Sequence, residues 1–467
     1  MLLRLPVPQT QPFSFVGTVI GEDAALLEHL QRCTEARDRF CATSAVLENR
    51  AEEGRASVEA TITNLEEYIP LLHGLILFLE ETKHALVTST FEMSWTSCLV
   101  EPSPAPKNSR SPPSPTYYRI KALRFDLIMS TLTLAVLKIN QARDVVYSAP
   151  SVADLMEALS RGAQLLLQAA GILDFLTVDE LPRYHKFPAS RPPELNALAT
   201  RSIYCACMAQ AQEMCVRRAE LEEKGPSIIG RLSSPIPVLY TEALENFQAL
   251  AAQESSTTLI RLFTAKCTNS SSYHSMLTYL SFAQMFYDKH ELATAIAVVS
   301  ISKAYFNYFD FETPPVDTTM QDLGRELLAK AENLYEAWSQ ENRLVYHEIV
   351  KPVDSSVLPE GRLLVKKVAY ESIPCTRLHA QLPTMEQAMA IYKSQSVDPS
   401  SSNFSGFLAG ASDTFTATAL PPPSASSSSA SSSSASVSSS SPSPSSSSSS
   451  RLPASASTNP DAPLSFK

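Results

Sequence analysis

Apolar residues recur three and four positions apart over most of the chain, the spacing that lines one face of an α-helix. From Asp23 to Glu52 the positions Leu26, Leu27, Leu30, Cys33, Phe40 and Leu47 fall on one side and charges on the other, which predicts an amphipathic surface helix. A second helix is expected from Ala56 to His84, kinked or split where Pro70 removes an amide donor. Val87 to Val100 (VTSTFEMSWTSCLV) is rich in β-branched and aromatic residues and predicts extended chain, in the form of a small hairpin. Residues 101–116 hold six prolines in sixteen positions, a density no helix or central strand accommodates, so an exposed loop is expected.

Helical spacing resumes at Tyr117–Tyr147, at Val152–Leu176 with Ser151 or Asp154 as cap, and at Pro193–Lys224 with Pro193 near the first turn. It continues through Pro237–Gln253, Ser256–Cys267, Tyr273–Lys289, Glu291–Phe309 and Thr319–Asn342. The pair over 273–309 places small or aromatic residues at Leu280, Ala283, Tyr287, Ala293, Ala297 and Ala304, like one unit of a tetratricopeptide (TPR) array. No fixed period repeats, so the architecture reads as TPR-like only. Beyond Asn342, Leu344–Ile349 and Leu363–Val368 are β-branched runs separated by proline and glycine, expected as extended chain against the helices. A short helix, Met385–Ser394, ends the patterned region. The expected fold class is all-α with a small β element packed on it.

From Pro399 onward the chain is nearly all small and polar, and residues 421–450 hold 21 serines in 30 positions. Such a stretch buries too little apolar surface to offset its ordering entropy, so a disordered, flexible tether is expected over 399–467. Its charges, Asp413 and Asp461 against Arg451 and Lys467, cancel, which leaves the net charge of −10 on residues 1–398. An acidic body without a basic patch argues against nucleic-acid partners and makes any membrane association indirect. With only 12 glycines in 467 residues, against a usual share of roughly 7%, hairpin-rich and phosphate-loop proteins become poor matches.

The eight cysteines are scattered at 33, 41, 98, 205, 207, 215, 267 and 375, and no secretory signal is visible, so a reduced, cytoplasmic compartment is expected. The longest apolar run, Leu71 to Leu79, is interrupted by His73 and falls short of the roughly 20 residues that cross a bilayer. Neither a myristoylation nor a prenylation signal is present in this sequence, so no lipid anchor is expected.

Candidate chemistry is sparse. Gly225–Arg231 (GPSIIGR) has two glycines at the spacing of a phosphate loop, but Arg231 replaces the lysine, Leu232 the magnesium-binding hydroxyl, and a helix precedes it. Cys205 and Cys207 diverge by about 200° on a helix and cannot share one metal ion. The eight histidines occur singly, with no metalloprotease or hydrolase motif around them. His347, between Tyr346 and Glu348, reads as a residue pinning a strand. Carboxylate pairs such as Glu66-Glu67 read as solvated helix faces. The sequence therefore predicts no enzyme, cofactor, metal or small-molecule substrate.

Three segments carry a family resemblance. Ala209-Gln210-Ala211-Gln212-Glu213 lies late in a long helix and follows Leu195-Asn196-Ala197-Leu198. Glu341-Asn342-Arg343-Leu344-Val345-Tyr346-His347-Glu348 is followed by Leu363-Leu364-Val365-Lys366, and Ala163–Phe175 reads AQLLLQAAGILDF. Together they resemble the BRO-one domain family of Alix-like proteins, with Gln210, Gln212, Glu213, Tyr346 and His347 as signature positions. Leu65–Leu72, Trp95-Thr96-Ser97 and Leu123–Asp126 are similar to its plant-type branch of endosomal-targeting proteins. The domain is expected over 1–375, with a short helix and linker over 376–398.

The resemblance implies an elongated, curved helical body with a TPR-like core. It further implies a non-enzymatic, cytoplasmic and endosome-associated adaptor in multivesicular-body sorting. Its partner would be the C-terminal amphipathic helix of an ESCRT-III subunit, laid in an apolar groove. Carried onto this sequence, the groove residues are Cys215, Ile228 and Leu232, with Glu157 on the rim. Ile228 and Leu232 stand four apart, on one helical face. Cys215 departs from the family's large apolar residue, which implies weaker binding. The alternative is a TPR-like peptide-binding signalling scaffold without ESCRT contact. The coiled coil and proline-rich partner motifs that follow the domain in Alix-type relatives have no counterpart in this sequence.

Overall fold

The computed structural model describes residues 4–19, 24–49, 54–82, 91–102, 115–184, 187–188, 190–253, 257–313 and 318–372. The chain divides into units 1–415 and 416–467, and every described residue belongs to the first. The expectations for Met385–Ser394, the serine-rich tail and most of the proline-rich loop lie outside the described residues.

Eleven helices are described: α1 (Ala24–Asn49), α2 (Gly54–Thr82), α3 (Leu123–Tyr147), α4 (Val152–Phe175), α5 (Leu181–Arg183), α6 (Ala197–Leu221), α7 (Pro226–Ser233), α8 (Pro235–Gln253), α9 (Thr258–Asp288), α10 (Leu292–Ala304) and α11 (Thr319–Glu341). The long ones pack in chain order, α1 on α2 through α4, then α4 on α6, α6 on α8 and α8 on α9 to α11. A main core runs from α1 to the first half of α9. A second cluster, including Leu280, Phe286, Val299, Ala331 and Trp338, joins α9, α10 and α11.

Polar caps set several starts. Ser151 accepts from the Asp154 amide at 3.2 Å, Asn196 from Leu198 at 3.0 Å and Thr257 from Ile260 at 3.1 Å. Pro70 lies inside α2, which continues through it as one helix. The two helices expected over 256–289 are one, because Ser270 and Ser272, read as a break, are buried against the core. In α10 the inward face runs through Leu292, Ala295, Ile296 and Val299, leaving Ala293 and Ala297 half-buried and Ala304 exposed.

The small β element differs from the expected hairpin. Strand β1 (Met93–Trp95) pairs antiparallel with β2 (Tyr118–Ile120), a partner from beyond the proline-rich loop, in the register Met93↔Ile120 and Trp95↔Tyr118. Residues 118–120 are thus strand, and α3 begins only at Leu123. Beneath the sheet, Arg37 occupies the middle of the apolar stripe of α1 at 0% exposure, ion-paired with Asp126 of α3. Asp126 also accepts from Tyr68 and from Trp95 Nε1, and Arg37 donates to the Thr10 hydroxyl. These partners pair the two buried charges and leave Arg37 Nε as the one guanidinium nitrogen without a hydrogen-bond partner, which makes the cluster tolerable in the core. Leu27, placed on the same stripe by spacing, is 41% exposed.

After α11 the chain makes a π-helical turn at Asn342–Tyr346 where extended chain was expected. Residues 358–372 then form a strap with no regular secondary structure, crossing α7, α6, α4 and α2 in turn. Leu363–Val368 thus lies as extended chain on the helices. By contrast, Leu344, Val345 and Ile349 stand 69, 64 and 79% exposed instead of packing against them.

Candidate partner-binding groove

Helices α4 and α6 run antiparallel. Gly162 of α4 faces Met214, Ser160 accepts from Arg218 at 3.1 Å, and Thr177, just past α4, bonds Thr200 at 2.9 Å. After Leu221 the chain turns at Glu223, which has φ of 51°, and α7 folds back along α6 until the Leu232 carbonyl meets the Gln212 side chain at 2.8 Å. Gly230 lets α7 pack against α9 at the same time, since a Cβ there would stand 2.5 Å from the Phe282 ring of α9.

The four predicted groove residues fall in three environments. Ile228, in the first turn of α7, presents its side chain at 47% exposure. Cys215 is half-buried one turn before Arg218, and burial pushes its thiol pKa up. Glu157 is exposed on α4 one turn before Ser160, at the same end of the α4–α6 pair. Leu232 is sealed at 7%. Ile228 and Leu232, one turn apart on the same short helix, therefore do not present one surface, because α9 and the strap cover the last turn of α7 and leave the first turn open.

The signature residues hold this arrangement together from inside. Gln212 donates from Nε2 to the carbonyls of Leu232 and Arg362 (2.8 and 3.0 Å), and its Oε1 accepts from the Leu364 amide at 3.0 Å. Gln210 is buried as well, on the other side of α6. Glu213 accepts from the Tyr240 hydroxyl at 2.7 Å and lies 3.2 Å from His274 Nε2. Burial alone would raise its pKa, but the hydrogen bonds from His274 and Tyr240 override it and hold the carboxyl at about 2.

Ser233 completes a row the sequence did not reveal, with its hydroxyl 3.1 Å from His274 Nδ1. Serine, histidine and glutamate in that order are the makings of an acyl-transfer triad. Here Ser233, His274 and Glu213 are 0, 5 and 9% exposed, and the hydroxyl is also bonded to the His274 carbonyl at 3.2 Å. The row lies in the interior and, with Tyr240, pins α6, α7, α8 and α9 to one another. Positions 213, 233 and 274 share no local motif, so only the fold brings them together.

Tyr346 and His347 are exposed, and His347 adopts a left-handed conformation (φ 57°) that ends the π-helical turn. It pins no strand. Asn342, within the same motif, carries the structural load, donating to the Glu348 carbonyl and accepting from its amide, both at 2.9 Å. Glu348 in turn accepts from the Ala293 amide at 2.9 Å, capping α10. Gly171, in the AAG of the α4 motif, is required because a Cβ there would lie 1.6 Å from the Val368 carbonyl of the strap. Among the described residues no group of three or more His, Cys, Asp or Glu could hold a metal, and no helix is long and apolar enough to cross a membrane.

The model of the BRO1-like domain family matches residues 146–393, more than half of the chain. The chain belongs to that family. No curated protein matches it. Among solved structures, that of the ALIX BRO1 domain in complex with CHMP4C aligns with a TM-score of 0.57 at 12% identity, over 82% of this chain and 98% of that one. A second, of a Bro1 domain described as the basis for endosomal targeting, gives 0.57 at 14%, over 84% and 96%. At such identities the likeness is one of fold. In this BRO1-like domain the matched region takes in α4 to α11 and the strap, and so includes every predicted groove and signature residue.

Proposed function

We propose that this BRO1-like protein is an endosome-associated adaptor in multivesicular-body sorting. It binds the C-terminal amphipathic helix of an ESCRT-III subunit across the seam of α4, α6 and α7. The observation that carries the reading is Ile228, a large apolar side chain 47% exposed on a helix fixed from behind. It sits in the fold in which the ALIX BRO1 domain forms its complex with CHMP4C. An incoming helix with apolar anchors at i, i+3 and i+4 buries such a side chain. Cys215 beside it provides a smaller contact, and Glu157 a charged rim. No catalytic step is assigned, and recruitment to the membrane runs through the partner.

The test is titration calorimetry of the full chain with a peptide of the CHMP4C C-terminal helix, comparing wild type with Ile228→Asp. Leu232→Asp is unsuitable because that side chain is in the core. Loss of a central anchor costs about 1–3 kcal/mol, a drop of about ten- to hundredfold in affinity. Equal binding by the variant, or none by wild type, overturns the reading.

One observation supports the alternative, a peptide-binding scaffold of TPR-like type. Pro226 and Ile229 of α7 face Leu277, Leu280 and Leu334 across a slot of about 280 Å³, with Lys224 and Lys330 at its edge. Glu220, also at this edge, is paired with Arg217 at 3.3 Å and Lys224 with Glu222 at 3.5 Å, so Lys330 is the cation left to meet an acidic side chain on a segment with an apolar anchor. Leu334→Glu abolishes binding there and spares the Ile228 surface.

A further inference from the structure

We propose that the strap 358–372 and helix α7 move as one unit. On this reading, which rests on the groove assigned above, the groove has its binding geometry only while the strap is docked, and Gln212 is the positioning residue that joins the two.

Pro235 leaves the end of α7 one donor short. An α-helix satisfies the carbonyl of residue i with the amide of residue i+4, and at Arg231 that residue is Pro235, which has no amide hydrogen. The strap supplies the missing donor, since the Arg362 amide bonds the Arg231 carbonyl at 2.7 Å. Arg231 reciprocates by donating from Nε to the Glu360 carbonyl at 3.1 Å. One residue on, the Leu232 carbonyl is bonded by Gln212, and the other bonds of that amide go to the strap at Arg362 and Leu364. The last turn of α7 is therefore completed from outside by the strap and by a side chain that also holds the strap.

Downstream contacts anchor the strap far from α7. Val368 donates to the Leu167 carbonyl at 3.1 Å, Lys367 pairs with Asp174, Tyr370 meets Phe175 edge-on at 5.3 Å, and Ser372 reaches His73 at 2.9 Å. A segment fixed at both ends, with an eight-residue helix hung from one of them, transmits displacement. Because α7 is too short to be stable alone, freeing its last turn frees Ile228 with it. By linkage the effect is reciprocal: a partner seated on Ile228 tightens the strap by the factor by which the strap tightens the partner.

Hydrogen exchange of the 467-residue chain reads both halves, with peptides covering 226–233 and 362–370. Gly171→Ala pushes the strap off α4 through the Val368 carbonyl, and Lys367→Met removes the Asp174 pair, both away from α7. Gln212→Met removes the joint itself. Exchange over 226–233 is expected to speed up about tenfold in Gly171→Ala or Lys367→Met whenever 362–370 is loosened, and in Gln212→Met in any case. Affinity for the CHMP4C helix peptide should fall by a similar factor, and that peptide should slow exchange over 362–370 in wild type. A loosened strap with α7 exchange and affinity unchanged, or Gln212→Met with wild-type exchange over 226–233, overturns the proposal. If Gly171→Ala does not fold, the other two variants decide. If wild type does not bind the peptide, the adaptor reading fails, while exchange in the free protein still tests the mechanical link.

Discussion

Glu213→Gln tests whether the buried row beneath α7 works as a structural clamp. The substitution keeps a carbonyl acceptor for Tyr240 and His274 and removes the charge. In the folded protein the Glu213 carboxyl is held at about 2, below its ordinary 4.5. A depressed folded-state pKa contributes stability that is fully present above 4.5 and is lost as pH falls towards 2. The gap corresponds to about 3 kcal/mol at pH 7 and shrinks to about 1 kcal/mol near pH 3. The assay is urea denaturation of wild type and variant at pH 7, 5 and 3, followed by far-UV circular dichroism. Using the difference at each pH cancels the other carboxylates, which titrate in both proteins. A gap of about 3 kcal/mol at pH 7 and 5 that narrows to about 1 kcal/mol at pH 3 is expected. A gap that is constant with pH, or that widens on acidification, refutes the account of Glu213 as a carboxylate stabilised by its two donors.

The remaining predictions concern the buried ion pair, the groove and the surface charge. Asp126→Ala leaves Arg37 charged and unpaired at 0% exposure, so it should destabilise the fold by about 3–5 kcal/mol, whereas Arg37→Met with Asp126→Leu should recover most of that loss in the same denaturation assay. Cys215→Phe should tighten binding of the CHMP4C helix peptide by about tenfold in calorimetry, because it enlarges a contact beside Ile228; unchanged affinity places Cys215 off the groove. With a net charge of −10, the chain alone should co-sediment weakly with anionic liposomes at physiological salt, and strong sedimentation without the partner contradicts indirect recruitment.

The seam of α4, α6 and α7 proposed as the binding surface is stabilised differently on its two sides. On the inner side, Gln212, Glu213 and Gly230 make contacts that tolerate little change of shape, and these bring α7 close to α6 and α9. On the outer side, Ile228, Cys215 and Glu157 make no comparable network, which leaves their identity free to follow a partner. A binding surface on a rigid backing spends little of its interaction energy on ordering itself.

The spacing of apolar residues was enough to determine the all-α class and the approximate extent of most long helices, though it split α9 and gave no range for α5 or α7, because each long helix buries one stripe and that stripe is written locally at three and four. The motifs AQAQE, AAG and ENRLVYHE identified the family for the same reason, each being a short run with its own local conformation. Tertiary structure alone decided which members of those runs matter and how. Gln212 counts because a strap 150 residues away needs both ends of its amide, and Gly171 because that strap leaves no room for a methyl group. Arg37 lies in the core because Asp126 and Trp95 arrive from other elements to receive it. Leu232 and Ile228 have the same helical phase and opposite fates, since the chain that covers one and misses the other is distant in sequence. Periodicity records the direction a side chain takes from its own helix; what stands in that direction is supplied by the rest of the fold.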